Sequence, residues 1–251
     1  MGGVERAGRY VIPAGSGAGI EIVFLDAGET ILHPHPSFPE LFVQVAAREG
    51  VPLDVADVSA AQSRLAPHLV DLAEDTGVEN PSFSAEDARR FWTFLYRRLL
   101  EELGVPDERL VDELFATFSA AESYRLFDDV GDALAELLSR GYRLGLISNF
   151  EGWLEKMLME LEVGHLFEVS VISGTDRIEK PDPAIYELGL ERAGVAADRA
   201  VHVGDSVSLD VEPALSVGMH AVLLDRIGRY EHVTHVRISS LKELPAAIEN
   251  L

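Results

Sequence analysis

The 251-residue chain contains no cysteine, which excludes disulfides, thiolate zinc sites and thiol nucleophiles. Lysine is nearly absent too: Lys156, Lys180 and Lys242 are the only three among 21 basic residues. Cations of any kind are outnumbered, 43 acids against 21 bases, for a formal net charge of −22. A field of that sign repels nucleic acid and anionic lipid, so neither nucleic acid nor membrane is expected as a partner. It also disfavours an anionic substrate unless a local cation compensates. No apolar run reaches the about 20 residues that cross a bilayer. The N-terminus lacks the charged, apolar, small-residue order of a secretory signal, and a cytoplasmic location is the expectation. The bias from lysine to arginine has two readings, codon usage in a GC-rich genome and adaptation to high salt.

What is present is an ordinary globular composition, 47% hydrophobic and 25% charged, long enough for one large domain or a core carrying an inserted module. Residues 1–20 are Gly-rich with no sustained apolar period and read as a flexible leader. Gly15-Ser16-Gly17-Ala18-Gly19 is no phosphate loop, because no Gly-Lys-Ser/Thr follows and a strand comes next. That strand is Ile22-Val-Phe-Leu25, a continuous apolar run of the kind buried on both faces of a parallel sheet. It delivers Asp26 to the strand's C-terminal end, where open α/β sheets place ligands.

Residues 37–122 follow a helical pattern throughout. Ser84 with Asp87 three later starts a helix on which Phe91, Leu95 and Leu99 recur. Asp107 starts another with Leu110, Leu114 and Phe118 on one stripe. Phe91, Trp92 and Phe94 read as packing within this module. Arg89-Arg90 and Arg97-Arg98 read as a solvated face with salt bridges. From Asp129 onward strands and helices alternate: a helix near 129–140, strand 142–147, helix 152–162, strand 168–172, a helix opened by Lys180-Pro-Asp-Pro183, strand 200–203, another helix, strand 220–224 and a last helix over 240–249. Repeated βα units make a parallel sheet with right-handed crossovers. The expectation is a doubly wound, Rossmann-like α/β core from residues 21–36 and 123–251, interrupted by a helical module over 37–122.

Several strand ends gather polar residues on one edge of that sheet: Asp26, then Ser148-Asn149, then Asp205, with Asp210 in the following turn and Lys180 at a helix start. Three carboxylates, a hydroxyl, an amide and an ammonium form a kit for phosphoryl transfer. Hard oxygen ligands at Asp26 and Asp205 suit Mg²⁺. Ser148 and backbone N–H groups suit phosphoryl oxygens, Lys180 suits developing charge, and Asp26 is left to attack.

These segments resemble the motifs of the haloacid dehalogenase (HAD) superfamily of hydrolases, in particular members whose helical cap follows motif one. The resemblance rests on Phe24-Leu-Asp26-Ala-Gly-Glu-Thr30, Leu146-Ile-Ser148-Asn149, Lys180-Pro-Asp-Pro183 and Val203-Gly-Asp205-Ser-Val-Ser-Leu-Asp210, in the family's order between residue 22 and about 225. It implies Asp26 as nucleophile and metal ligand and Lys180 as catalytic cation. It further implies Ser148 and Asn149 as substrate contacts, and Mg²⁺ held by Asp26, Asp205 and the Gly28 carbonyl. Asp210 follows as a supporting acid and a small phosphorylated metabolite as substrate. Most phosphatases of the family carry a second Asp two residues after the nucleophile, as proton donor to the leaving group; this chain has Gly28 there. Glu29 is one substitute, although neighbouring side chains in extended backbone face opposite ways. His33 and His35 lie further on and read first as solvated hinge residues. The alternatives are a dehalogenase-type hydrolase, whose chemistry needs no such donor, and a catalytically impaired binding protein on the same fold.

Overall fold

A computed structural model of the chain describes residues 19–65, 75–78, 80–230 and 232–251. The leader reading for residues 1–20 lies outside them, Gly19 and Ile20 apart. In chain order the elements are β1 (Ile22–Leu25), β2 (Leu32–Pro34), α1 (Phe38–Arg48), α2 (Val55–Leu65), α3 (Ala85–Glu102), α4 (Glu108–Phe118), β3 (Tyr124–Leu126), α5 (Val130–Ser139) and β4 (Arg143–Ser148). Then come α6 (Leu154–Glu160), β5 (Val169–Ile172), α7 (Ser173–Asp176), α8 (Pro183–Ala193), β6 (Ala200–Gly204), a π-turn (Val207–Val211), α9 (Glu212–Ser216), β7 (His220–Leu224), β8 (Arg237–Ile238) and α10 (Leu244–Ile248).

Strands β1 and β4–β8 form one six-stranded sheet in the order β5-β4-β1-β6-β7-β8, parallel throughout. The order runs outward in both directions from β1, so the crevice where the winding reverses lies at the C-terminal end of β1. Alternation along β1 divides the core. Val23 and Leu25 face a layer with Leu134 of α5, Leu154 of α6 and Ile248 of α10, and Ile22 and Phe24 face one with Ile185 and Tyr186 of α8. All four β1 residues are buried, as a strand covered on both faces requires. The fold is the doubly wound α/β sheet.

Helices α1–α4 bury a separate apolar cluster that, among the described residues, draws only on the helical segment, from Leu41 to Phe118. Ser84 accepts the Asp87 N–H at 3.0 Å and Asp107 those of Arg109 and Leu110, fixing the starts of α3 and α4. The arginine pairs on α3 form Arg89–Asp112, Arg97–Glu108 and Arg98–Glu101 ion pairs on its solvated face. Two short strands escape the sequence pattern: β2 and β3 pair antiparallel, Leu32 opposite Leu126, at the two chain crossings between helical segment and sheet. Strand β8 and the 3₁₀ turn that shortens the last helix to Leu244–Ile248 are likewise additions. Three-residue strands carry too few positions to show a period of two.

Candidate active site

The sheet's C-terminal edge brings together Asp26, Ser148, Lys180, Asp205 and Asp210. Asp26 leaves β1 with its N–H on the Val203 carbonyl at 2.9 Å. Lys180 Nζ donates to Asp26 Oδ1 and to Asp210 Oδ1, each at 2.7 Å. All three side chains are buried, so the ammonium has no solvent to fall back on and is locked by its two acids. Burial opposes the charge on Lys180, but Asp210 and Asp26 outweigh it and raise its pKa. Burial likewise pushes the Asp26 carboxyl up, against the pull of Lys180 and with the help of Asp210. For Asp210 the balance is reversed: burial is overcome by Lys180 and His202, which hold its carboxyl far below the usual range.

One oxygen each of Asp26, Asp205 and Asp210 lies within 4.8 Å of the others, close enough to share one cation. Burial and the neighbouring Asp210 and Asp26 push the Asp205 carboxyl up to about 7. A pocket that strains to ionise its own acids holds more negative charge than its protein cations neutralise, and oxygen-only donors suit a hard divalent ion.

The turn after β6 explains Asp210. Its Oδ2 accepts the Ser206 N–H at 3.0 Å and its backbone N–H returns to the Ser206 carbonyl at 2.9 Å, within the π-turn. The carboxylate thereby folds under Gly204, where an added Cβ would stand 2.2 Å from Asp210 Cγ; only glycine fits. His202, fully buried in β6, donates from Nε2 to Asp210 Oδ1 at 3.0 Å, since the ionised carboxylate only accepts, and its ring meets Tyr186 edge-on. Its Nδ1 has no hydrogen-bond partner among the described residues. Inside an apolar run the residue reads as core packing, yet it faces the acid that Lys180 needs.

Ser148 ends β4 with its buried hydroxyl unpartnered among the described residues. The Asn149 side chain faces the Lys180 backbone. Its Oδ1 accepts the Lys180 N–H at 2.7 Å and its Nδ2 donates to the Lys180 carbonyl at 2.8 Å. Both ends of the amide are thus used to position the Lys180 backbone. Asp182 accepts the Ala184 N–H at 2.9 Å and starts α8, with Pro183 first.

Gly28 has open space where a side chain would stand. Glu29 turns with φ +55° and is exposed, with Arg229 and Arg226 as its cationic neighbours. His33 stacks on Phe127 at 4.3 Å and uses Nδ1 on the Pro34 carbonyl, so it is a packed residue rather than a solvated one. Trp153 packs edge-on against Phe150 beside the core.

Two arginines beyond β7 belong to no sequence motif. Arg226 pairs with both oxygens of Asp129 at 2.9 and 3.0 Å, donates to the Thr30 carbonyl at 2.8 Å and lies over Phe127 at 3.9 Å. It thereby ties the turn after Asp26 to α5. Arg229 Nη2 reaches Asp205 Oδ2 at 3.1 Å. The sequence signal was a pair of cations at a sheet's C-terminal edge, in a chain short of them.

This arrangement defines a hydrolase of the α/β class, and residues 20–218 match the haloacid dehalogenase-like hydrolase family. The chain belongs to that family. It is 31% identical over 237 residues to haloacid dehalogenase-like hydrolase domain-containing protein 3 of Danio rerio, covering 91% of this chain and 96% of that one. It is 34% identical over 154 residues to phosphoserine phosphatase of Thermus thermophilus, 60% of this chain and 62% of that enzyme. Among solved structures it shares the fold of YfnB from Bacillus subtilis, determined bound to magnesium, with TM-score 0.70 and 18% identity over 92% of this chain and 99% of that one.

Proposed function

We propose that the protein is a Mg²⁺-dependent phosphatase that transfers the phosphoryl group of a small metabolite to Asp26 and then to water. The observation that carries the reading is the buried Lys180 ammonium set 2.7 Å from both Asp26 and Asp210, with Asp205 beside them. Asp26, Asp205 and the Gly28 carbonyl would hold the cation, which supplies charge neutralisation for the phosphoryl oxygens. Relatives named as phosphatases of phosphoserine and of glyceraldehyde 3-phosphate support the substrate class.

Asp26 Oδ attacks phosphorus, the bond from phosphorus to the leaving oxygen breaks, and an acyl phosphate forms on Asp26. Ser148 Oγ, buried and without a partner among the described residues, would donate to a phosphoryl oxygen. Lys180 keeps its proton throughout and opposes the charge that gathers on those oxygens. Water then cleaves the acyl phosphate, releasing phosphate and restoring the Asp26 carboxylate. The helical block over α1–α4 stands as the cap. Its segment before α3 docks on the core, where the Ser82 N–H donates to Glu179 Oε1 at 3.1 Å and the Ser82 hydroxyl meets Ser173.

With glycine at position 28, no carboxyl stands where the family's proton donor would. An alkoxide leaving group needs that proton, a step worth about 10²–10⁴-fold, whereas a carboxylate leaving group does not. The substrates favoured are therefore those with good leaving groups, acyl phosphates above sugar phosphates. The dehalogenase alternative is disfavoured by the acid cluster at Asp205, which asks for a metal. A screen of phosphorylated metabolites with and without Mg²⁺, run beside Asp26→Asn, tests the proposal. Mg²⁺-dependent phosphate release that Asp26→Asn abolishes is expected; release indifferent to Asp26→Asn rejects it, and no turnover with no Mg²⁺ binding favours the binding-protein alternative.

A further inference from the structure

The loop after β7 is built to present Arg229. Its scaffold is the buried Asp225 carboxylate, which accepts the N–H groups of Arg229 at 2.8 Å and Tyr230 at 3.1 Å and pairs with Arg237 at 3.3 Å. Gly228 supplies the left-handed turn, φ +73°. The backbone of Arg229 is thus fixed, while its side chain is not. Among the described residues that guanidinium makes one hydrogen bond, to Asp205, and its side chain is 44% exposed. Its neighbour Arg226 is the opposite case, 16% exposed and spent on Asp129, the Thr30 carbonyl and Phe127.

A lone, half-exposed ion pair is a weak tether. Asp205 is also one of the three acids placed to share a cation, so an arriving divalent ion and the guanidinium compete for one carboxylate. Formal charge favours a handover. When fully ionised, Asp26, Asp205 and Asp210 with Lys180 carry two negative charges, which a divalent cation cancels and a phosphate dianion restores. A further cation is then wanted in a chain whose overall field repels anions, and a guanidinium fork matches phosphate oxygens.

We propose that Arg229 is a phosphate-binding residue of this site, resting on Asp205 in the metal-free protein and passing to the phosphate oxygens of the substrate once a divalent cation takes Asp205. The assignment rests on the phosphatase reading above, and its test needs no turnover.

Isothermal titration of the full chain and of Arg229→Met is carried out first with Mg²⁺ alone and then with inorganic phosphate on the Mg²⁺-loaded protein. Losing the competing ion pair tightens Mg²⁺ binding about threefold, and losing a charge-assisted contact weakens phosphate binding about tenfold. Unchanged phosphate affinity overturns the assignment whatever Mg²⁺ does. Weaker phosphate binding with unchanged Mg²⁺ affinity overturns the resting position on Asp205. No Mg²⁺ binding by the wild-type chain removes the metal reading beneath the inference, a result distinct from the other two.

Discussion

Replacing Gly28 with aspartate should place a carboxyl at the family's proton-donor position. An added Cβ at position 28 meets nothing within 4 Å and the backbone is outside the left-handed region, so the side chain enters without strain. The change should leave stability within about 1 kcal/mol, since a glycine replaced where its conformation is compatible loses mainly unfolded-state entropy. A well-supported general acid is worth about 10²–10⁴-fold. A carboxyl introduced without partners recovers the lower part of that range, so kcat for an alkyl phosphate should rise about tenfold or more. An acyl phosphate, whose leaving group needs no proton, should gain less than about threefold. The assay is Mg²⁺-supported phosphate release from one substrate of each kind by wild type, Gly28→Asp and Gly28→Asn, the last matching the size but not the acidity. Equal gains on both substrates, or an asparagine variant as fast as the aspartate one, would refute the reasoning. No gain on the alkyl phosphate would mean that another group, Glu29 first among them, already supplies the proton.

Gly204→Ala should drive its Cβ into the Asp210 carboxylate, 2.2 Å from Cγ in the present geometry, loosening Lys180; the expected loss is about 100-fold in kcat with KM little changed, read by steady-state kinetics on a folded variant. Arg226→Ala strips a bidentate, largely buried partner from Asp129 and should lower stability by about 3 kcal/mol in chemical denaturation; a change below about 1 kcal/mol would mean that the pair is solvated. Mg²⁺ affinity should rise with pH through about 7 and then level off, because the cation binds ionised Asp205, whose carboxyl is protonated below that point in the metal-free protein. Calorimetry near neutral pH in buffers of different ionisation enthalpy should therefore detect a proton released on Mg²⁺ binding, and none released would contradict the raised Asp205 pKa. The same shift sets a stability trend without metal. Asp205 binds its proton more tightly folded than unfolded, so its contribution falls as pH rises from the ordinary carboxylate range to about 7.

The parts readable in advance share a physical cause. Strand β1 announces itself because a strand covered on both faces must be apolar at every position, and Ile22–Leu25 is. Asp26, Ser148 and Asp205 stand out because each breaks such a run at its C-terminal end, where the fold collects ligands. His202 does not, because it sits within the run and its role depends on an acid that a π-turn folds back under the strand. Asn149 follows Ser148 at the sheet edge, but which way its amide faces depends on Lys180, 31 residues away. Arg226 reaches the Thr30 carbonyl across 196 residues, a contact that no local pattern encodes. The β2–β3 pair is hidden for a simpler reason, three residues to a strand.

The central claim is that Asp26 carries the phosphoryl group. It is tested most directly by mixing the Mg²⁺-loaded protein with an acyl phosphate, quenching in acid within one turnover and mapping the peptides by mass spectrometry. The account predicts one phosphoryl group on Asp26, formed before free phosphate appears and absent from Asp26→Asn. Phosphate release from an enzyme whose Asp26 peptide never gains that mass, or a label that survives Asp26→Asn, would contradict it.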